Sequence, residues 1–138
     1  MLTEVVHTMP LTRRVDICET LIKFHWEMVK MGLCNMDWKT DNVFVIDDKQ
    51  IRIFDFDQVV TNTGDCTGRG TYRYMAPELK MSAQTHPNAL SCSVYALGVT
   101  LYTIMVLQFP GQMHEKKLRE LVEENMEQDE GTRIRKLV

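Results

Sequence analysis

The chain has 138 residues, 44% of them hydrophobic and 25% charged, which is enough apolar material for one globular core. A net charge of -3 and the absence of any long basic run give no electrostatic footing for nucleic acid or a membrane surface, so neither is expected as a partner. The longest nearly unbroken apolar run, residues 95–107, falls short of the about 20 residues that a bilayer demands and suits a buried core helix.

In chain order, the opening "MLTEVVHTMP" lacks a positive flank followed by an apolar core, so no secretory signal is read, and a cytoplasmic or nuclear location is the default expectation. Residues 11–31 place Val15, Cys18, Leu21, Ile22, His25 or Trp26, and Val29 at the spacing of an amphipathic helix. Gly32 should end it in a left-handed cap. The segments 43–46 and 51–54 are short β-branched or aromatic runs around the polar turn Asp47-Asp48-Lys49-Gln50, the pattern of a β-hairpin. Residues 61–73 hold glycines and threonines with no apolar period and are read as a mobile loop. A short helix is expected over 78–82 after Pro77, and an apolar helix over about 91–107 that Pro110-Gly111 stops. Residues 115–130, with Leu118, Leu121, Val122 and Met126 on one side, read as a further one-sided helix.

The fold class expected from this order is mainly α with a small β-hairpin. Four cysteines with no C-x-x-C pair point to reduced thiols rather than a zinc site or disulfide framework. The four histidines lack metal-ligand spacing and are read as surface or packed groups. Met28, Met31 and Met105 are read as core, and the acidic run "EENMEQDE" as a solvated helix face.

Five landmarks stand in order. "MDWKTDN" contains Asp37, Lys39 and Asn42 as D-x-K-x-x-N, and thirteen residues after Asn42, past the hairpin, comes "DFD", Asp55 to Asp57. "GTYRYMAPE" ends in Ala76-Pro77-Glu78, "SVYALGVTLYTIMVLQFP" follows, and "DEGTR" contains Arg133. Together these resemble the catalytic loop, metal-binding triplet, activation-segment end, central helix and late arginine of the protein kinase superfamily. The resemblance implies the C-terminal lobe of a kinase-like α+β fold, truncated, with residues 1–138 forming one partial kinase domain whose activation segment runs over about 55–78. Lysine two residues after the aspartate is similar to the Ser/Thr type rather than the tyrosine type.

What the resemblance implies for chemistry is Mg-dependent transfer of a phosphoryl group from ATP to a protein Ser/Thr hydroxyl. Asp37 would accept the hydroxyl proton, Lys39 would sit by the transferred phosphate, Asn42 and Asp55 would hold Mg, Thr71 would help seat the substrate, and Glu78 would pair with Arg133 as a structural brace. A glycine-rich loop and an N-lobe lysine are not among these residues, so ATP and Mg are expected only where an N-lobe is supplied. The partner is a protein substrate or another kinase. Enzyme activity of the isolated chain stays open, the alternative being a catalytically inactive, pseudokinase-like C-lobe that binds or mimics a kinase. Four departures from the family pattern bear on this choice. Met36 replaces the arginine that receives an activation-segment phosphate at Thr61, Thr63 or Thr67; Asp57 replaces a glycine, as an extra ligand or a disturbance of the metal; Ser93 replaces the aspartate that opens the central helix; and residues 110–118 are short for the usual extra helix.

Overall fold

The computed structural model describes residues 1–81 and 86–110. A short helix α1 (Leu2–Val5) and a 3-10 turn lead through Pro10 into the long helix α2 (Leu11–Lys30), followed by strand β1 (Leu33–Asn35). A 3-10 turn over Thr40–Asn42 precedes the hairpin β2 (Val43–Val45) and β3 (Ile51–Ile53), and strand β4 (Val59–Thr61) follows it. A 3-10 turn at Tyr72–Tyr74, the short helix α3 (Pro77–Lys80) and the helix α4 (Ala89–Val106) complete the described order. The expected helix over 115–130 and the Arg133 brace lie outside the described residues.

Helix α2 has the amphipathic face its spacing calls for, with Val15, Cys18, Leu21 and Met28 buried. Ile17 joins them, and of the two residues weighed for the next position it is His25 that turns inward while Trp26 stays 59% exposed. Met31 is 67% exposed and so is not core, because it sits one residue past the last turn, and Gly32 then reverses the chain at a φ of +76°. The short opening segment has a structural use that its composition did not announce: Leu2 and Val6 are buried and join the main core with α2, Trp38, Val43 and α4.

The β2–β3 hairpin pairs Val43 with Ile53 and Val45 with Ile51, and the Asp47 carboxylate closes its turn by accepting from the Lys49 and Gln50 amides at 2.7 and 2.8 Å. A second antiparallel pair joins β1 to β4, Cys34 opposite Val60. Three-residue strands separated by more than twenty residues carry little periodic signal, so this pair was not legible. It has a large consequence, because it lays the segment after the hairpin directly alongside the segment before it.

Helix α4 begins two residues earlier than expected, since the Asn88 side chain caps it by accepting from the Ser91 amide at 3.0 Å. Its 18 residues, with a mean hydropathy of 1.7, are long and apolar enough by composition to cross a membrane. In the fold it packs instead against α2 and β1, with Cys92, Ala96, Leu97 and Ile104 among its buried residues. Helix α3 stops at Lys80, short of the expected 82, and the loop before it is anchored by the fully buried Cys66.

His25 is buried beside Trp38, ring centroids 6.0 Å apart, and burial holds its basicity below the usual 6.5. The unfolded chain takes up a proton near 6.5 that folded His25 resists, so stability is fully present above that pH and is lost as pH falls through and below it. Thermal unfolding should therefore show a lower Tm at about pH 5.5 than at about pH 7.5, and His25→Gln should shrink that difference.

Candidate active site

Strand β1 delivers the chain into the loop 36–42, and the loop is folded on itself by its own side chains. Asn35 Oδ1 accepts from the Asp37 amide at 2.9 Å, and the Asn42 amide donates to the Lys39 carbonyl at 3.1 Å. Asn42 Nδ2 donates both to the Asp37 carbonyl at 3.1 Å and to Asp37 Oδ2 at 3.2 Å. From below, Ser93 Oγ donates to the Asn35 carbonyl at 2.6 Å. Ser93 was expected to open the central helix; it lies inside that helix, fully buried, and Asn88 does the capping. The tie from the central helix to the loop is nonetheless made, with a hydroxyl in place of a carboxylate.

Asp37 is only 5% exposed, and a buried carboxylate is costly unless several donors reach it. Its Oδ1 accepts from Thr71 Oγ1 at 2.6 Å, and Lys39 Nζ lies 3.2 Å from Oδ2. Lys39 Nζ also donates to Thr71 Oγ1 at 2.9 Å, so Asp37, Lys39 and Thr71 form a closed triangle. Residues 34 positions apart thus meet in one hydrogen-bonded group.

The sequence reading missed the parts that bring Thr71 there. Gln58 uses its carbonyl to accept from the Met36 amide at 3.2 Å and its side-chain Oε1 to accept from the Gly70 amide at 3.3 Å. Gly70 has a φ of +100°, and a Cβ on it would stand 2.6 Å from the Met36 carbonyl oxygen. Only a residue without a side chain lets the two segments close. Gly70 was visible as a glycine but not distinguishable from its neighbours Gly64 and Gly68; Gln58 carried no signal at all.

Asp55 follows β3 with a φ of +61°, a left-handed conformation that side chains seldom adopt. Asp57, which stands where the family has a glycine, is not among the positive-φ residues; the strained turn is at Asp55. The Phe54 amide donates to the Asn42 carbonyl at 2.9 Å, which sets the chain leading into Asp55 against Asn42. Phe56 stacks on Phe24 of α2 at 6.2 Å, and Phe24 meets Trp38 edge-on at 6.2 Å, so the triplet is held by an aromatic row.

A divalent cation fits the donors present. Asn42 spends its Nδ2 on Asp37 and leaves Oδ1 as an acceptor, and Asp55 is an exposed carboxylate with no partner among the described residues. One carboxylate and one amide oxygen match the few protein ligands magnesium takes when phosphate oxygens and waters supply the rest. Among the described residues no cluster of three or more His, Cys, Asp or Glu could hold a metal by itself.

Met36 is 2% exposed and packs with Cys34, Val60, Cys66, Ala76, Ala89 and Cys92, so the residue that stands in place of the family's arginine is part of the core. Glu78 Oε1 accepts from the Cys92 thiol at 3.5 Å, and burial, with Glu78 adding to it, pushes that thiol up to about 12. Its expected partner Arg133 is outside the described residues.

These features belong together in one class of protein. Residues 12–136 match the protein kinase domain family, and the chain belongs to that family. It is 33% identical over 87 residues to a probable protein kinase of Dictyostelium discoideum, a match covering 63% of this chain and 22% of that protein. It is 33% identical over 78 residues to the interferon-induced, double-stranded RNA-activated protein kinase of Rattus norvegicus, covering 54% of this chain and 15% of that protein. With the serine/threonine-protein kinase cds1 of Schizosaccharomyces pombe it shares 28% identity over 102 residues, 69% of this chain and 21% of that protein. The matched stretches are thus less than a quarter of the length of these curated relatives.

Gly70→Ala should lower stability by about 1–3 kcal/mol through the left-handed φ and the clash with Met36, measured by urea unfolding. An unchanged midpoint would show that the two segments do not close here. Ser93→Ala should cost a similar about 1–3 kcal/mol, because it strands the buried Asn35 carbonyl.

Proposed function

We propose that this chain is the C-terminal lobe of a Ser/Thr-type protein kinase domain, serving transfer of a phosphoryl group from ATP to a protein hydroxyl. The observation that carries the reading is the Asp37–Lys39–Thr71 triangle, in which a buried carboxylate lies 2.6 Å from a hydroxyl. That distance is within the reach a general base needs, which supports the reading that an incoming Ser or Thr hydroxyl is received beside Thr71. Asp37 acts as the base, held by Asn42 and by the Asp37 amide bond to Asn35. Lys39 offers its ammonium to the phosphoryl oxygens, and Asn42 with Asp55 holds Mg²⁺. The metal, when bound, neutralises charge on the phosphates.

ATP in this reading lies between the site and a second lobe bearing the glycine-rich loop, whether from a longer form of the chain or from another kinase. A face prepared for such a neighbour is supported by Phe44, Phe54 and Phe56, large apolar side chains that are 37%, 44% and 46% exposed beside Asp55. The same surface favours a second reading, a pseudokinase-like module that docks in place of a C-lobe without turning over ATP.

Thermal unfolding of the chain with and without millimolar Mg-ATP tests whether it holds nucleotide unaided, and the same titration with a glycine-rich lobe supplied separates the two readings. Where ATP is held, a rise in Tm is expected, about 2.7 kcal/mol of stabilisation where nucleotide exceeds Kd a hundredfold, with loss of its metal-dependent part in Asp55→Asn. No shift at millimolar nucleotide would leave the chain without an autonomous ATP site, and none with the second lobe supplied would favour the docking module. A shift unchanged in Asp55→Asn would remove Asp55 from its role.

A further inference from the structure

Beside the triangle lies a cleft of about 140 Å³ between the Tyr72–Tyr74 turn, the opening segment and the end of α4. Arg73, His7, Thr3, Thr40, Gln108 and Phe109 are among the residues that line it, and no Asp or Glu does. Arg73 is exposed, with its guanidinium 4.8 Å from the Phe109 ring centre and 5.6 Å from that of Tyr74. Those two rings meet edge-to-face at 5.1 Å, which gives the guanidinium an aromatic seat. Among the described residues Arg73 has no carboxylate partner and donates no hydrogen bond. Its planar fork is therefore held by stacking with its N–H groups left to pair, the arrangement suited to bidentate capture of a carboxylate. Asp41, which adjoins the lining residue Thr40, accepts from the Thr3 hydroxyl at 3.0 Å.

Arg73 stands two residues after Thr71, at most roughly 7 Å along an extended chain. Thr40, on the loop that carries Asp37, lines the same cleft, so residues near the acceptor of a peptide that presents its hydroxyl to Asp37 come within reach of it. We infer that the cleft is a subsite for an acidic side chain of the substrate peptide, Glu or Asp within two or three residues of the acceptor hydroxyl, gripped by Arg73, with His7 and Gln108 also lining the cleft. The inference rests on the reading of Asp37 as the group that faces a substrate hydroxyl. The volume holds one short side chain, since a water's share of liquid is about 30 Å³.

The test is fluorescence anisotropy with the full chain and fluorescein-labelled serine peptides that differ only in carrying Glu, Gln or Lys at two to three residues on either side of the serine. The Glu peptide should bind at least about fivefold more tightly than the Gln peptide, and the Lys peptide more weakly than either. Arg73→Gln should erase that order, and Arg73→Lys should restore part of it. Both variants should stay folded with a Tm within a few degrees of the wild type, since the side chain is exposed and only its stacking on Phe109 and Tyr74 changes. Equal affinity for the three peptides, no binding of the Glu peptide at millimolar concentration, or a preference that survives Arg73→Gln would each overturn the subsite. A parallel assay of phosphate transfer to the same peptides keeps the two readings apart. Transfer without acid preference removes the subsite alone, whereas acid-selective binding without transfer, once a second lobe is supplied, removes the kinase reading and leaves the subsite standing.

Discussion

A carboxylate that folding buries must be met by donors, and Asp37 is the one around which this molecule is arranged. Three side chains from two distant segments converge on it: Asn42 and Lys39 from its own loop, and Thr71 from the far end of the segment after the hairpin. Meeting that requirement needs every longer-range feature of the fold. The β1–β4 pair lays the two segments together, Gln58 bridges them, and Gly70 lets their backbones touch. Ser93 then fixes the loop to the most buried helix. The network is worth more than its single bonds because each member is satisfied by the others in a place with little water.

Asp55 and Asp37 illustrate two ways of preparing a carboxylate. Asp37 is enclosed, paired and immobile, while Asp55 is exposed, has no partner among the described residues and sits on a left-handed turn. The first carboxylate is met by a hydroxyl and an ammonium, whereas the second is left open on a chain that only the Phe54 amide ties to Asn42. The aromatic row Phe56, Phe24, Trp38 links the second to the first, so movement of α2 or of the loop would be felt at both. Met36 adds a further distinction. Where the family places a phosphate-gripping arginine, this chain places a side chain in the Cys34, Cys66, Cys92 cluster, which couples the loop to its neighbours by packing instead of by charge.

That Asp37, Lys39, Asn42 and Thr71 gather in one place was legible through the family resemblance of their motifs, and the structure joins these four by hydrogen bonds and an ion pair. The hairpin between them was equally legible, as two β-branched runs around a polar turn leave a local signal. What escaped was whatever depends on distant pairing. Three-residue strands such as β1 and β4 have no period long enough to notice, and Gln58 acts through one carbonyl and one amide that many residues could offer. Leu2 and Val6 stand in a stretch too short to show a period, and only the packing against α2 and α4 reveals them as core. Met31 went the other way, since its apolar side chain suggested core while the helix end left it in solvent.

The central claim is that Asp37 and Thr71 are energetically one unit. A double-mutant cycle of Asp37→Ala and Thr71→Ala, followed by urea unfolding, measures that directly. A coupling of about 1 kcal/mol or more, with the double variant much less destabilised than the sum of the singles, is the expected result. Strict additivity would mean that the two segments do not meet, and the site as drawn would not exist.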